Sequence, residues 1–318
     1  MKILANDGIS KAGQTKLEAA GYTVITDKVN QEDLISYIQS NEIAMILVRS
    51  ATTVRADMID ACPSIKLIGR GGVGMDNIDV AYAREKGIEV INTPASSSQS
   101  VAELVMAQMY SVSRFLNDSY KNLGENNFSA LKKNYGKGIE LRGKTLGILG
   151  FGRIGQSLAS YALGTGMRVI PIGKTITTHK VEVSIGLDST VSVELTTVND
   201  LASVLHELDF LSIHVPKQKD GSAVIDAHAF SKMKKGIRIM NAARGGVIDE
   251  EALLDALDNG TVSFAALDVY NNEPNPNQKL ISHPKIACTP HIGAATLEAQ
   301  DRIGEELADL ITEKFGKH

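Results

Sequence analysis

Short apolar runs alternate with segments of helical periodicity along almost the whole chain. In the first part, strand-length runs fall at Lys2–Ala5, 22–26, 44–48, 67–68 and 89–91, with helix-like segments such as 31–39 and 80–86 between them. A second series of strands is predicted at Thr145–Leu149, Arg168–Ile172, 210–215, 238–241 and 264–267. Its helices are expected at 154–162, 201–205, 230–234 and Glu250–Asp258, and a last amphipathic helix at 296–315. Apolar strands separated by helices are the pattern of βαβ units, so the expectation is an α/β fold with parallel sheets. Between the two series, 92–98 breaks the pattern with Pro and Ser. Ser100 and Glu103 then read as a capping box that opens a long helix over 101–116. Residues 122–138 form a looser stretch with little periodicity.

A chain of 318 residues exceeds one ordinary core, and two domains are expected. Hydrophobic content of 43% and charged content of 22% suit a water-exposed globular protein. The net charge of −4 provides no basic field for a phosphate backbone, so nucleic acid is not expected as a partner. The first residues lack the apolar core and cleavage site of a signal peptide, and no apolar run is long enough to span a bilayer. A cytoplasmic location is the expectation. Cys62 and Cys288 have no metal-ligand spacing and read as small buried hydrophobes in a reducing compartment; no metal site is expected.

The sharpest chemical signal is Gly150-Phe151-Gly152-Arg153-Ile154-Gly155, which follows a predicted strand and opens a predicted helix. In that context the first glycine permits a tight turn, the second lets backbone approach a pyrophosphate, and the third lets helix pack on strand. The helix N-terminus adds unpaired N–H groups for the phosphates. An acidic residue is expected roughly 20 residues on to hold the ribose 2′-hydroxyl of NAD. The strand end there reads Gly173-Lys174-Thr175. No carboxylate repels a 2′-phosphate and Lys174 can attract one, so NAD, NADP and dual use all remain open.

Downstream, Asn241-Ala242-Ala243-Arg244-Gly245-Gly246 lies between a strand and a helix, where an Arg can grip a carboxylate with its planar fork of donors. Asp268 and Glu273 follow the next strand, and Pro290-His291-Ile292-Gly293 the one after. Alcohol oxidation needs a base for the hydroxyl proton, and imidazole serves near neutral pH. His291 is the chosen acid–base group among seven histidines, with Glu273 fixing its tautomer. His214, before Val215 and Pro216 at a strand end, is placed at the border of the cofactor.

Together these residues resemble the D-isomer-specific 2-hydroxyacid dehydrogenase family. The resemblance runs almost end to end and includes Gly69–Asp79, Asn92-Thr93-Pro94 and 143–148. It implies two Rossmann-like domains with the active site in the cleft between them. The substrate domain would be discontinuous, 1–98 plus 289–318, and the cofactor domain would span 99–288. It implies Arg244, Glu273 and His291 as the catalytic residues. It implies cofactor contacts from Val73, the glycine loop, Gly173, Lys174, His214, Val215, Pro216, Ala242, Ala243, Arg244, Asp268, His291, Gly293 and Ala294. The substrate loops at 48–52 and at Gly69-Arg70 are most similar to those of members that oxidise 3-phosphoglycerate in serine synthesis. Arg49 and Arg70 would then hold the phosphate, with Gly72, Val73 and Gly74 backbone on the carboxylate, and Ser50, Arg244 and His291 would also bind substrate. Reduction of glyoxylate or hydroxypyruvate by the same chemistry stays open, as does a cofactor-sensing binding protein of the corepressor type. The family resemblance further implies a homodimer through the cofactor domain. The chain ends at His318, so a C-terminal regulatory domain is not expected.

Overall fold

The computed structural model describes residues 1–318, which divide into two compact units: Met1–Ser100 with Ala294–His318, and Val101–Gly293. The expected boundaries shift at both crossings. The first falls inside a helix, after Ser100 rather than Ser98. The second falls after Gly293 rather than Cys288, because residues 289–293 are hydrogen-bonded to Asp268 of the second unit.

The first unit carries β1 (Lys2–Ala5), α1 (Lys11–Ala19), β2 (Thr23–Ile25), α2 (Leu34–Asn41), β3 (Met45–Val48), α3 (Ala56–Ala61), β4 (Leu67–Arg70), α4 (Val80–Glu85) and β5 (Glu89–Asn92). The strands form one parallel sheet in the order β2-β1-β3-β4-β5. Strand side chains alternate between its faces. Leu4, Ile46, Val48 and Ile68 pack on one side with Leu34, Ile38 and Met58 of the helices. Ile3, Met45, Leu47 and Leu67 pack on the other, with Leu17 of α1. Burial on both faces is why these strands read as unbroken apolar runs.

The chain leaves this unit through α5 (Ser98–Arg114). That helix begins two residues before the predicted capping box. Ser100 lies within the helix with its hydroxyl 2.8 Å from that of Thr296, and Glu103 accepts from Tyr161 instead of returning to a cap. The loose stretch is helical in part, as α6 (Leu116–Asn122) and α7 (Phe128–Asn134); neither buries a residue, which is why it shows no apolar period.

The second unit continues with β6 (Thr145–Leu149), α8 (Arg153–Gly164), β7 (Arg168–Ile172), β8 (Thr178–Ile185), β9 (Ser189–Thr196), β10 (Phe210–Ile213), α9 (Ala227–Ser231), β11 (Ile237–Asn241), α10 (Glu250–Asp258), β12 (Val262–Leu267), α11 (Gln278–Ile281) and β13 (Ile286–Cys288). Six strands form a parallel sheet in the order β13-β12-β11-β10-β6-β7, with helices on both faces. The expected parallel α/β architecture is therefore the one adopted. β8 and β9 form a separate antiparallel hairpin that the sequence pattern does not predict. The helix expected over 201–205 is a run of turns ending in a 3₁₀ turn, with Asp200 accepting from Ala202 N.

The last helix, α12 (Leu297–Phe315), starts at an N-cap Thr296 and returns to the first unit, placing Ile303, Leu307 and Ile311 in its core. It crosses α1 where both helices carry glycine. A Cβ on Gly13 would lie 2.6 Å from Gly304 backbone, and one on Gly304 2.4 Å from Ser10 Oγ. We expect Gly13→Ala to force these helices apart and destabilise the chain by roughly 1–3 kcal/mol, measurable as a lowered urea midpoint; an unchanged midpoint would refute this account of the crossing.

Candidate active site

The three glycines of the loop differ in what surrounds them. Gly150 has φ +95°, and a Cβ there would meet the carbonyl oxygen of His214 at 2.7 Å. A Cβ on Gly155 would meet the Gly150 oxygen at 2.5 Å, so the start of α8 needs glycine to lie against β6. Gly152 is different, because nothing lies within 4 Å of a Cβ built on it. The second glycine therefore leaves open space at a helix N-terminus, the feature a pyrophosphate requires. Arg153, exposed, opens α8 and Ile154 follows it. The residues present fit a dinucleotide.

His214 follows β10, and Val215 and Pro216 continue from it. Its Nε2 sits 2.8 Å from Ser212 Oγ, while its Nδ1 is buried without a hydrogen-bond partner. Burial pushes its pKa down to about 4, so the ring is neutral at physiological pH. His214 shapes the loop floor through its backbone and is not a proton carrier near neutrality.

The catalytic candidates come together at the C-terminal ends of β11, β12 and β13. His291 Nδ1 lies 2.7 Å from Glu273 Oε2, and Glu273 Oε1 accepts from Tyr270 N at 2.9 Å. The imidazole Nε2 makes no hydrogen bond within the chain. His291 holds φ +54°, unusual for a residue with a side chain and typical of strained functional positions. Burial alone would raise the Glu273 carboxyl; the hydrogen bonds from His291 and Tyr270 and the charge of Arg244 outweigh it and hold the pKa below the ordinary value.

Two polar residues build this arrangement. Asp268, 1% exposed, accepts from Thr289 Oγ1 (2.7 Å) and Ile292 N (2.8 Å) with Oδ1, and from Gly293 N (2.9 Å) with Oδ2. Expected as a cofactor contact, it acts here as the anchor of the His291 loop. A Cβ on Gly293 would lie 3.2 Å from Asp268 Oδ2, which explains the glycine. Asn241, buried at the end of β11, accepts from Ala243 N and donates to Arg244 O, bracing the Ala242–Arg244 turn. A Cβ on Gly245 would fall 1.8 Å from the Tyr270 oxygen, so that turn can approach the Glu273 loop only with glycine. Sequence reasoning misses Asn241 and Tyr270 as contributors; a polar residue ending an apolar strand is the available signal for the first.

The substrate-loop candidates lie in the first unit, as do Val73 and Ala294. Asp7 organises them. Its Oδ2 accepts from Arg49 N (2.6 Å) and Thr52 N (3.1 Å), and its Oδ1 from Thr52 Oγ1 (2.7 Å) and Lys28 Nζ (2.5 Å). Burial would raise its pKa, but these donors hold it below the ordinary value. Asn77 adds bonds to the carbonyls of Arg49 and Thr52. In the sequence Asp7 marks only an acidic turn, and its role depends on partners distant along the chain. Arg49 is half-buried with no hydrogen bond or ion pair on its guanidinium. Arg70 departs from expectation: it is 9% exposed and turned onto Gly71 O and Ser50 Oγ, because a β4 residue in this sheet points into the unit. It braces the loops instead of presenting a free cation. Gly72 N is likewise occupied by Thr93 Oγ1, leaving the N–H groups of Val73 and Gly74.

Comparison with known proteins decides the family. Residues 106–293 match the D-isomer specific 2-hydroxyacid dehydrogenase, NAD binding domain. The chain belongs to the D-isomer specific 2-hydroxyacid dehydrogenase family. It is accordingly an NAD(P)-dependent oxidoreductase acting on CH–OH groups. A hydroxypyruvate reductase of Thermotoga maritima is 40% identical over 99% of this chain and 98% of its own length. A D-3-phosphoglycerate dehydrogenase of Methanocaldococcus jannaschii is 38% identical over 98% of this chain, which spans only 57% of that relative. Among solved structures, an NAD-dependent formate dehydrogenase from Staphylococcus aureus in complex with NAD superposes with a TM-score of 0.81 at 27% identity, covering 99% of this chain and 96% of that one. No helix is long and apolar enough to cross a membrane.

Asp268→Ala should leave three loop donors unpaired and release the His291 loop, at roughly 1–3 kcal/mol per buried unpaired group; hydrogen exchange at Ile292 and Gly293 should accelerate, and unchanged protection would contradict the anchoring role. Because the Glu273 carboxyl is held low, its stabilisation is present above about pH 4.3 and lost as pH falls through its folded value. Urea midpoints from pH 6 to 3 should therefore converge for wild type and Glu273→Gln at the acid end.

Proposed function

We propose that this chain oxidises D-3-phosphoglycerate, and reduces 3-phosphohydroxypyruvate in the reverse direction, as a D-3-phosphoglycerate dehydrogenase. The observation that carries the reading is Arg49. Asp7 fixes its backbone while its guanidinium, under the charge of Asp7, makes no hydrogen bond or ion pair of its own, an arrangement suited to a dianionic phosphate. The Arg244 side chain is assigned to the carboxylate. His291 accepts the hydroxyl proton at Nε2, and Glu273, bonded to Nδ1, keeps that nitrogen in the accepting tautomer. Bound nicotinamide supplies the hydride acceptor. The Asp268 anchor and the Asn241 brace position His291 and Arg244 without touching the reacting atoms.

A second reading, reduction of hydroxypyruvate or glyoxylate, is favoured by the full-length similarity to a hydroxypyruvate reductase and by Arg70 being engaged internally. The two readings differ by one phosphate, and Arg49 is where they separate. The exposed Leu116, Tyr120, Leu123 and Phe128 of α6 and its surroundings fit the homodimer implied by the family.

Steady-state assays with 3-phosphoglycerate, hydroxypyruvate and glyoxylate test both. The expected result is the highest kcat/KM for the phosphorylated couple, with Arg49→Ala raising its KM and leaving hydroxypyruvate nearly unaffected. Equal turnover of hydroxypyruvate would transfer the assignment to the reductase. His291→Ala should lower kcat about 10²–10⁴-fold while nucleotide binding persists; a near-normal rate removes His291 from the chemistry.

A further inference from the structure

The ribose end of the dinucleotide site departs from the pattern that names NAD. β6 and β7 pair through Leu149 and Ile172, and Gly150 N donates to Ile172 O at 2.9 Å, so Gly173 emerges beside the glycine loop. This is where a carboxylate would hold the ribose 2′-hydroxyl. Its absence is not steric. Gly173 does not adopt a positive φ, and a Cβ there would meet Thr197 Cγ2 at 3.5 Å, Thr197 Cβ at 3.6 Å and Thr175 O at 3.7 Å, all ordinary contacts. The position accepts a side chain, and the chain carries none.

The turn after Gly173 is held in place by its own hydrogen bonds. Thr197 Oγ1 donates to Thr175 O at 2.6 Å and accepts from Thr177 N at 2.8 Å, while Gly173 N bonds Val198 O. Hydroxyls of Thr175 and Thr177 stand 3.4 Å apart. Beyond the turn, the β8–β9 hairpin lies along α8. Val181 and Val183 are buried, Ser160 Oγ of α8 donates to Glu182 O at 2.6 Å, and His179 packs edge-on against Phe151 of the glycine loop, with ring centroids 5.2 Å apart. The hairpin thus ties the turn to the loop.

The turn itself is basic, although Glu194 lies opposite Lys180 in the hairpin and Glu182 follows Val181. From Gly173 to Val181 there is no acid, but there are Lys174, His179 and Lys180. Lys174 is exposed and makes no ion pair, and neither does Arg153 at the start of α8. Asp200, past the bridge of Val198 to Ile172, uses Oδ1 on Ala202 N.

We propose that this chain prefers NADP: Lys174 and Thr175, with Arg153 as a second cation, hold the 2′-phosphate, and the β8–β9 hairpin fixes the turn that presents them. The proposal rests on the dinucleotide reading of the glycine loop but not on the identity of the hydroxy acid.

Calorimetric titration of the whole chain with adenosine 2′,5′-bisphosphate and with 5′-AMP tests it without turnover. The bisphosphate should bind roughly 10- to 100-fold more tightly, the worth of one or two charge-assisted hydrogen bonds. Lys174→Ala should shrink that gap about tenfold and leave 5′-AMP unchanged. Gly173→Asp, which the local space admits, should invert the preference. Equal affinities in the wild type, or equal losses for both nucleotides in Lys174→Ala, overturn the proposal. If neither nucleotide binds, the dinucleotide site falls and the proposal with it, whereas a failed substrate assay alone leaves both standing.

Discussion

The geometry of the candidate site depends on one buried carboxylate. Asp268 directly follows β12, where water cannot solvate it, and it must find donors in the protein. It finds three, all within Thr289–Gly293. The loop is therefore closed around the Asp268 side chain, and His291 is carried in a left-handed conformation, uncommon for a residue other than glycine. The strain is tolerated because the flanking bonds over-determine the backbone. Glu273 is reached from the same strand end, so one β12 terminus sets both the position of the imidazole and the partner of its Nδ1.

Close backbone approach is the second constraint, and it recurs wherever loops must meet. Gly150 against the His214 carbonyl and Gly245 against the Tyr270 carbonyl each admit a contact that a methyl group would block. In both places glycine lets two strand-end loops share one edge of a parallel sheet, where ligands bind in folds of this class. Within the glycine loop Gly152 is the exception, open where Gly150 and Gly155 are crowded.

Much of this is legible in the sequence because both sheets are buried on two faces. Their strands read as short apolar runs, and the limits of β1, β6, β7 and α10 match the pattern of apolar positions alone. Local chemistry marks the glycine loop, Arg244, Glu273 and His291, since strand-end loops carry their motifs contiguously. Illegible features depend on distant partners. Asp7 matters through Arg49, Thr52 and Lys28. Arg70 has the look of a ligand cation and is a brace, because nothing local reveals that a side chain turns inward onto Ser50. The β8–β9 hairpin does alternate, with Val181 and Val183 between Lys180, Glu182 and Ser184. It is masked by the expectation that a crossover between parallel strands is helical.

Three carboxylates show how environment, not residue type, assigns a role. Asp268 is almost fully buried, and its oxygens are engaged by the Thr289–Gly293 loop, which it anchors. Asp7, also enclosed, is surrounded by two backbone donors, a hydroxyl and an ammonium; its charge organises a loop whose free cation is Arg49. Glu273 has a side chain 34% exposed, and one of its oxygens faces a histidine that is itself 37% exposed. Only the third pair joins a retained negative charge to a group that water and ligand can reach. Proton transfer requires that accessibility, and structural anchoring requires its absence. The order of burial from Asp268 to Glu273 thus makes the first an anchor and leaves the last, with His291, open to water and ligand.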